Sequence, residues 1–290
     1  MSTGVLFDAP GPKTVARHRV YSIVTVLVLV ALLGFAVKRL YDEGQFAYDL
    51  WEPFVTPDYV RALLVDGVLQ TLKMAFTAIL GAVVFGAVFG VGKLSDHAWV
   101  RWPCWAAVEF FRAIPVLLLM IFIWYALGIQ KDGSSYWGVV IALTLYNGAV
   151  LAEVLRAGVL AVPKGQAEAA YAVGMRKSQV MNLIQLPQAV KIMLPAIISQ
   201  CVVALKDTAL GQYILAPGLT AVGRQIYLAF GNRIPTIIVL AAIYITINLI
   251  LTWFATWAQK KFVGDDKKPL VIPMVGDTNT GDTQFGSRAV

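Results

Sequence analysis

The side chains in this sequence that could do chemistry are ionic, few, and set at informative intervals. Glu153 and Arg156 stand three apart in an apolar run, so a helix would carry both on one face. Asn147 precedes them by less than two turns, and Lys206-Asp207-Thr208 interrupts another apolar run. A charge at mid-bilayer costs about 2.5–3.5 kcal/mol on insertion scales, so such groups face a cavity or a partner. Two uses are open. Together these residues could line a polar pathway for a zwitterionic solute, cations meeting its carboxylate and anions its ammonium. Alternatively they could pair with one another between helices. Glu109 and Arg112, also three apart, are expected to be a structural pair, and Pro115 just beyond them to kink its helix.

Other chemistries have little to work with. His18 and His97 lie far apart, and Cys104 and Cys201 sit in apolar surroundings without metal-ligand spacing. The nearest approach to a phosphate loop, Ala87 to Leu94, lacks the first glycine and the closing Ser/Thr. Gly86 and Gly90 instead have the G-x-x-x-G spacing that lets membrane helices approach closely. The chain is therefore expected to hydrolyse no ATP and to hold no metal or cofactor of its own.

The elements that must position these residues are apolar helices. Of 290 residues 58% are hydrophobic and only 14% charged, against about 25% charged in an ordinary soluble domain. That excludes a soluble domain, a disordered chain and a disulfide scaffold. The net charge of +7 is scattered between apolar runs rather than gathered in a stripe, so no nucleic-acid partner is expected. Apolar stretches at Val20 to Val37 and at about 63–92, 104–129, 136–161, 195–215 and 236–258 each approach the roughly 20 residues that cross a hydrocarbon core. The fold class is an all-α membrane protein with six transmembrane helices. The first stretch is too long for a signal peptide and lacks a small-x-small cleavage site. Basic residues favour the segments that are inner if the N-terminus is inside, and an acidic-aromatic segment with Asp42, Glu43, Asp49, Glu52 and Asp58 falls outside. Both termini are thus expected in the cytoplasm. The organisation reads as a cytoplasmic segment 1–19, a first helix 20–38, an external segment 39–59, a core 60–258 with a cytoplasmic loop 162–191, and a flexible tail 259–290.

That loop is polar and amphipathic. Ala167 to Ala172 favour helix, Gly174 permits a sharp turn, and Met175 to Leu186 could form a second helix stopped before Pro187. Within it run Gly165, Glu168-Ala169-Ala170, three residues, Gly174, nine residues, Ile184, one residue, and Leu186-Pro187. This spacing resembles the E-A-A loop of ABC importer permeases. The chain is similar to the polar amino-acid branch of that family (histidine, glutamine, glutamate), and its N-terminal extension to the glutamate permeases of actinobacteria. The likeness covers about 60–258 and includes Glu109 to Pro115, Ala152 to Gly158 and Leu205 to Leu210. Ala113 and Ala209 depart from the usual Gly and Ser.

The resemblance implies a type I ABC importer transmembrane fold in which Val20 to Val37 is an added helix. It implies that the loop around Glu168 and Gly174 is a coupling helix seated on a separate ATPase, Glu168 pairing with a cation there; the plainer alternative is that Glu168 only solvates the loop. Implied partners are a second, related permease subunit, two ATPase subunits binding ATP and magnesium, and an extracytoplasmic amino-acid-binding protein. The competing class is an ion-gradient secondary transporter, which predicts an internal repeat that the sequence does not display.

Overall fold

The computed structural model describes residues 12–129 and 131–263; the opening residues 1–11 and the tail 264–290 lie outside the described residues. All regular structure among the described residues is helical. Helix α1 (Pro12–Asp42) is followed by short helical turns at Tyr48–Trp51 and Glu52–Phe54 and then by α2 (Pro57–Lys93). The rest is α3 (Ala98–Ala113), α4 (Val116–Leu127), α5 (Ser134–Ala161), α6 (Lys164–Ala172), α7 (Lys177–Ile214), α8 (Leu219–Phe230) and α9 (Arg233–Val263).

Five of these, α1, α2, α5, α7 and α9, are long and apolar enough to cross a membrane. The expected span at 104–129 is not one helix. It is the pair α3 and α4, bent by 104°. Pro115 does more than kink: a proline disfavours α geometry at the residue before it, and Ile114 is extended at φ −81°, ψ 129°. Pro115 then caps α4. At 1.5 Å per residue the 12 residues of α4 rise about 18 Å, too short to cross a core of about 30 Å alone.

The core centres on α5. Ala78, Met120, Val139, Leu143 and Ile214 form its main cluster, so α5 is enclosed by α2, α4 and the end of α7. From Ala75 to Gly90 the buried positions along α2 are small, Ala75, Ala78, Ala82, Gly86 and Gly90, and this seam lets the backbones of α2 and α5 nearly touch. A Cβ on Gly86 would lie 2.7 Å from the Leu151 Cβ, and one on Gly90 2.9 Å from the Ala152 carbonyl. The G-x-x-x-G spacing thus sets the distance between the two helices. Gly86→Leu is expected to destabilise the bundle by about 1–3 kcal/mol through overpacking. An unchanged unfolding midpoint in detergent would show that this close approach is dispensable.

Two stretches are wound wider than α: Ala62–Leu69 inside α2 and Val180–Gln185 inside α7. The second changes what Pro187 does. Instead of stopping a helix it follows the wide turn, where Leu186 N–H donates five residues back to Met181, and the helix continues to Asp207. There α geometry tightens to a 3₁₀ stretch, Thr208–Ile214. Helix α8, between the last two expected spans, is N-capped by Gly218, whose φ of +145° suits glycine. A Cβ at Gly218 would lie 2.9 Å from the Thr71 Oγ1, the atom that accepts the Leu219 N–H at 2.9 Å and pins α8 to α2. Helix α1 stands apart, with none of its apolar stretch buried against the other helices.

Candidate coupling and transport sites

Lys93 is the last residue of α2, and its side chain is 4% exposed. Its Nζ donates to Glu109 Oε1 on α3 at 3.2 Å and to Glu153 Oε1 on α5. Glu153 Oε2 also accepts from Arg156 Nε at 3.0 Å, and Glu109 Oε1 from Arg112 at 3.5 Å. The pairs Glu109–Arg112 and Glu153–Arg156 are therefore halves of one network that ties three helices together. Lys93 is the joint between them, and in the sequence it marks only orientation. A cavity of about 490 Å³ opens beside the network, bounded also by Arg101, Trp102 and Trp105.

The other polar residues of the expected pathway lie elsewhere. Asn147 is buried, donating to the Leu143 carbonyl at 3.0 Å and accepting from Gln200 Nε2 at 2.5 Å. Thr208 is buried and donates to the Leu205 carbonyl at 2.6 Å, where α7 tightens. Asp207 beside it is half-buried. Lys206 points into a second cavity, of about 500 Å³, whose other polar walls are Tyr244, Asn248 and Thr252 of α9. Asn248 Nδ2 donates to the Tyr244 carbonyl at 2.7 Å, while its Oδ1 is buried without a donor. The two cavities share no lining residue. Sequence reasoning passed over the α9 residues, although Tyr244, Asn248 and Thr252 recur every four positions, the spacing of one helix face.

The loop after α5 is a short helix with a fixed end. In α6 only Ala170 is buried; Gly165, Glu168 and Ala169 are exposed, and Glu168 makes no ion pair among the described residues. At the C-terminus Gly174 N–H donates to the Tyr171 carbonyl at 2.9 Å and Met175 N–H to Ala170 at 3.1 Å. This is a Schellman cap, which places the C′ residue in the left-handed region that favours glycine; Gly174 has φ +84°. Beyond it Leu186 packs on the cluster of Val159, Val162 and Ala189, seating the loop on α5. Ile184 and Pro187 lie on the same connection, Ile184 half-buried and Pro187 exposed. Lys177 pairs with Asp96 of the α2–α3 turn. Hydrogen bonding from Lys177 holds the Asp96 carboxyl below its usual range. The tie is thus present above the ordinary aspartate pKa and fades as pH falls through the lowered one.

Residues 82–264 match the family described as binding-protein-dependent transport system inner membrane component. The chain belongs to that family. The permease is 39% identical over 247 residues to the glutamate transport system permease protein GluD of Corynebacterium glutamicum, covering 83% of this chain and 90% of that one. It is 29% identical over 209 residues to the glutamate/aspartate import permease protein GltK of Escherichia coli, covering 68% and 92%. Among solved structures, a chain of an amino acid ABC transporter superimposes with a TM-score of 0.65 at 28% identity, covering 70% of the permease and 95% of that chain. The permease thus has the type I ABC importer transmembrane fold and is a multi-pass protein of the inner membrane.

Proposed function

We propose that this chain is the transmembrane subunit of an ATP-driven importer for glutamate or a closely related polar amino acid. The observation that carries this reading is the 39% identity to GluD along 83% of the chain. A binding protein delivers the solute on the outer side, and this chain forms the pathway with a second, related permease subunit. Two ATPase subunits, which bind ATP and magnesium, drive alternating access through α6. Both termini lie in the cytoplasm, with α1 as an added span. The chain itself is not catalytic.

The pathway we assign passes the cavity between α7 and α9. Lys206 there makes no ion pair among the described residues and suits a carboxylate, and the unpartnered Asn248 Oδ1 suits an ammonium. A hydrogen bond to a charged group is worth about 1.5–3 kcal/mol. Lys206→Ala and Asn248→Leu are accordingly expected to slow maximal glutamate uptake by about tenfold or more. Rates equal to wild type in both variants, at equal membrane abundance, would remove the cavity from the pathway. The wider reading is tested by labelled glutamate uptake in a strain lacking this chain, with aspartate, glutamine and arginine as competitors. Expected is a glutamate defect repaired by the chain; intact uptake in the deletion strain would overturn the assignment.

A further inference from the structure

The cavity beside the Lys93 network belongs to no step of that transport reading, yet its walls are chemically specific. Three cations and two carboxylates line it, and both carboxylates are occupied. Glu153 accepts from Lys93 and Arg156, and Glu109 from Lys93 and Arg112. The guanidinium groups are not used up. Arg156 engages through Nε alone, and Arg101 uses one terminal nitrogen for the carbonyls of Ser95 and Asp96, at 3.1 and 3.4 Å. An excess of positive charge with unused planar N–H donors fits a phosphate, whose oxygens match the guanidinium fork.

The remaining wall says what carries that phosphate. Trp102 and Trp105 stand edge to face at 5.8 Å and are 62% and 48% exposed. They share α3 with exposed Trp99 and Phe110, while Val108 on its other side is buried against α5. Tryptophan concentrates at headgroup depth in membrane proteins. The cavity sits at that depth, because α2 ends at Lys93 and the chain turns at once through Leu94–His97. It is also at the end of the bundle that carries the Glu168 loop, since α5 runs from Glu153 into α6. Basic pockets between spanning helices on the cytoplasmic side take anionic lipid headgroups. A soluble anion would have no use for the apolar face of α3.

We infer that this pocket binds an anionic phospholipid, with its phosphodiester between Arg101 and Arg156 and its acyl chains against the exposed apolar side of α3. The occupant is lipid rather than protein because positive charge and interfacial tryptophans meet at the depth where an anionic headgroup lies. The inference takes its cytoplasmic side from the proposed function but does not depend on the solute, and it survives if the solute proves different.

The test uses the full chain in mild detergent, with dioleoyl phosphatidylglycerol or dioleoyl phosphatidylcholine added, read by native mass spectrometry and by thermal shift. Expected is selective retention of phosphatidylglycerol with a raised unfolding midpoint. In Arg101→Ala retention falls about fivefold, the factor for one basic residue at an anionic surface, and in Arg101→Lys it falls less, because the charge stays while the fork is lost. Equal retention of the two lipids, or undiminished phosphatidylglycerol binding by Arg101→Ala, overturns the proposal. So does a midpoint raised as much by inorganic phosphate, which would make the ligand a free anion. Loss of a co-purifying protein in Arg101→Ala with lipid retention unchanged would make this face a protein interface and overturn it as well.

Discussion

Replacing Glu168 by arginine is expected to abolish ATP-driven uptake while the permease still reaches the membrane at wild-type abundance. Glu168 is exposed and makes no ion pair among the described residues, so its removal disturbs nothing within the chain. Its worth lies in what it meets. If it pairs with a cation of the ATPase, losing one member of a desolvated interfacial charge pair costs about 2–5 kcal/mol, and an arginine adds repulsion. Association should weaken by about 30-fold or more, enough to uncouple transport. Gly174→Val reaches the same phenotype by another route. No atom lies within 4 Å of a Cβ at Gly174, so the substitution meets no clash. Its penalty, on the order of 1–2 kcal/mol for a left-handed backbone, falls on the cap that ends α6 and sets the exit angle of the chain. Normal uptake by both variants with the partner ATPase present would sink the coupling assignment.

Lys93→Met should be the most damaging single change in the helix bundle. It strips both carboxylates of a shared, buried counter-charge. Breaking a buried ion pair from one side costs about 3–5 kcal/mol, because the partner stays behind uncompensated. The two carboxylates do not share that loss equally. Glu109 is 41% exposed and solvent screens it, whereas Glu153 is 19% exposed. The lower end of the range is therefore expected, carried by Glu153 and seen as a depressed unfolding midpoint. Adding Glu153→Gln to Lys93→Met should restore most of it, since a neutral amide tolerates the site. If the two substitutions are instead additive, the residues do not interact and the network carries no stability.

What the sequence disclosed and what it withheld divide along physical lines. Apolar runs report their own length and surroundings, so α1, α2, α5, α7 and α9 were legible. So was the α6 turn, because a Schellman cap needs its glycine at a fixed place. Lys93 was not legible as the joint of a network, since its partner Glu153 lies 60 positions away and no periodicity relates them. At Pro115 the sequence announced a disturbance but not its size. A proline fixes the geometry of the residue before it, while the resulting 104° depends on how Val108 and Met120 pack on opposite sides of the break. The six polar residues expected to share one pathway were grouped by their cost in lipid. That cost is equally well relieved by separate local bonds, as Asn147 and Thr208 demonstrate.

The wide turns at Ala62–Leu69 and Val180–Gln185 bear on how this chain can change length. A segment wound at more than 3.6 residues per turn holds slack: remove one residue and the helix can retake ordinary pitch, keeping its downstream half in register. In α5 there is no such reserve. A deletion between Gly148 and Glu153 would rotate one half against the other by about 100°, carrying Glu153 away from Lys93. Surviving single-residue deletions in this permease should therefore cluster in the two wide turns, each near the start of its long helix.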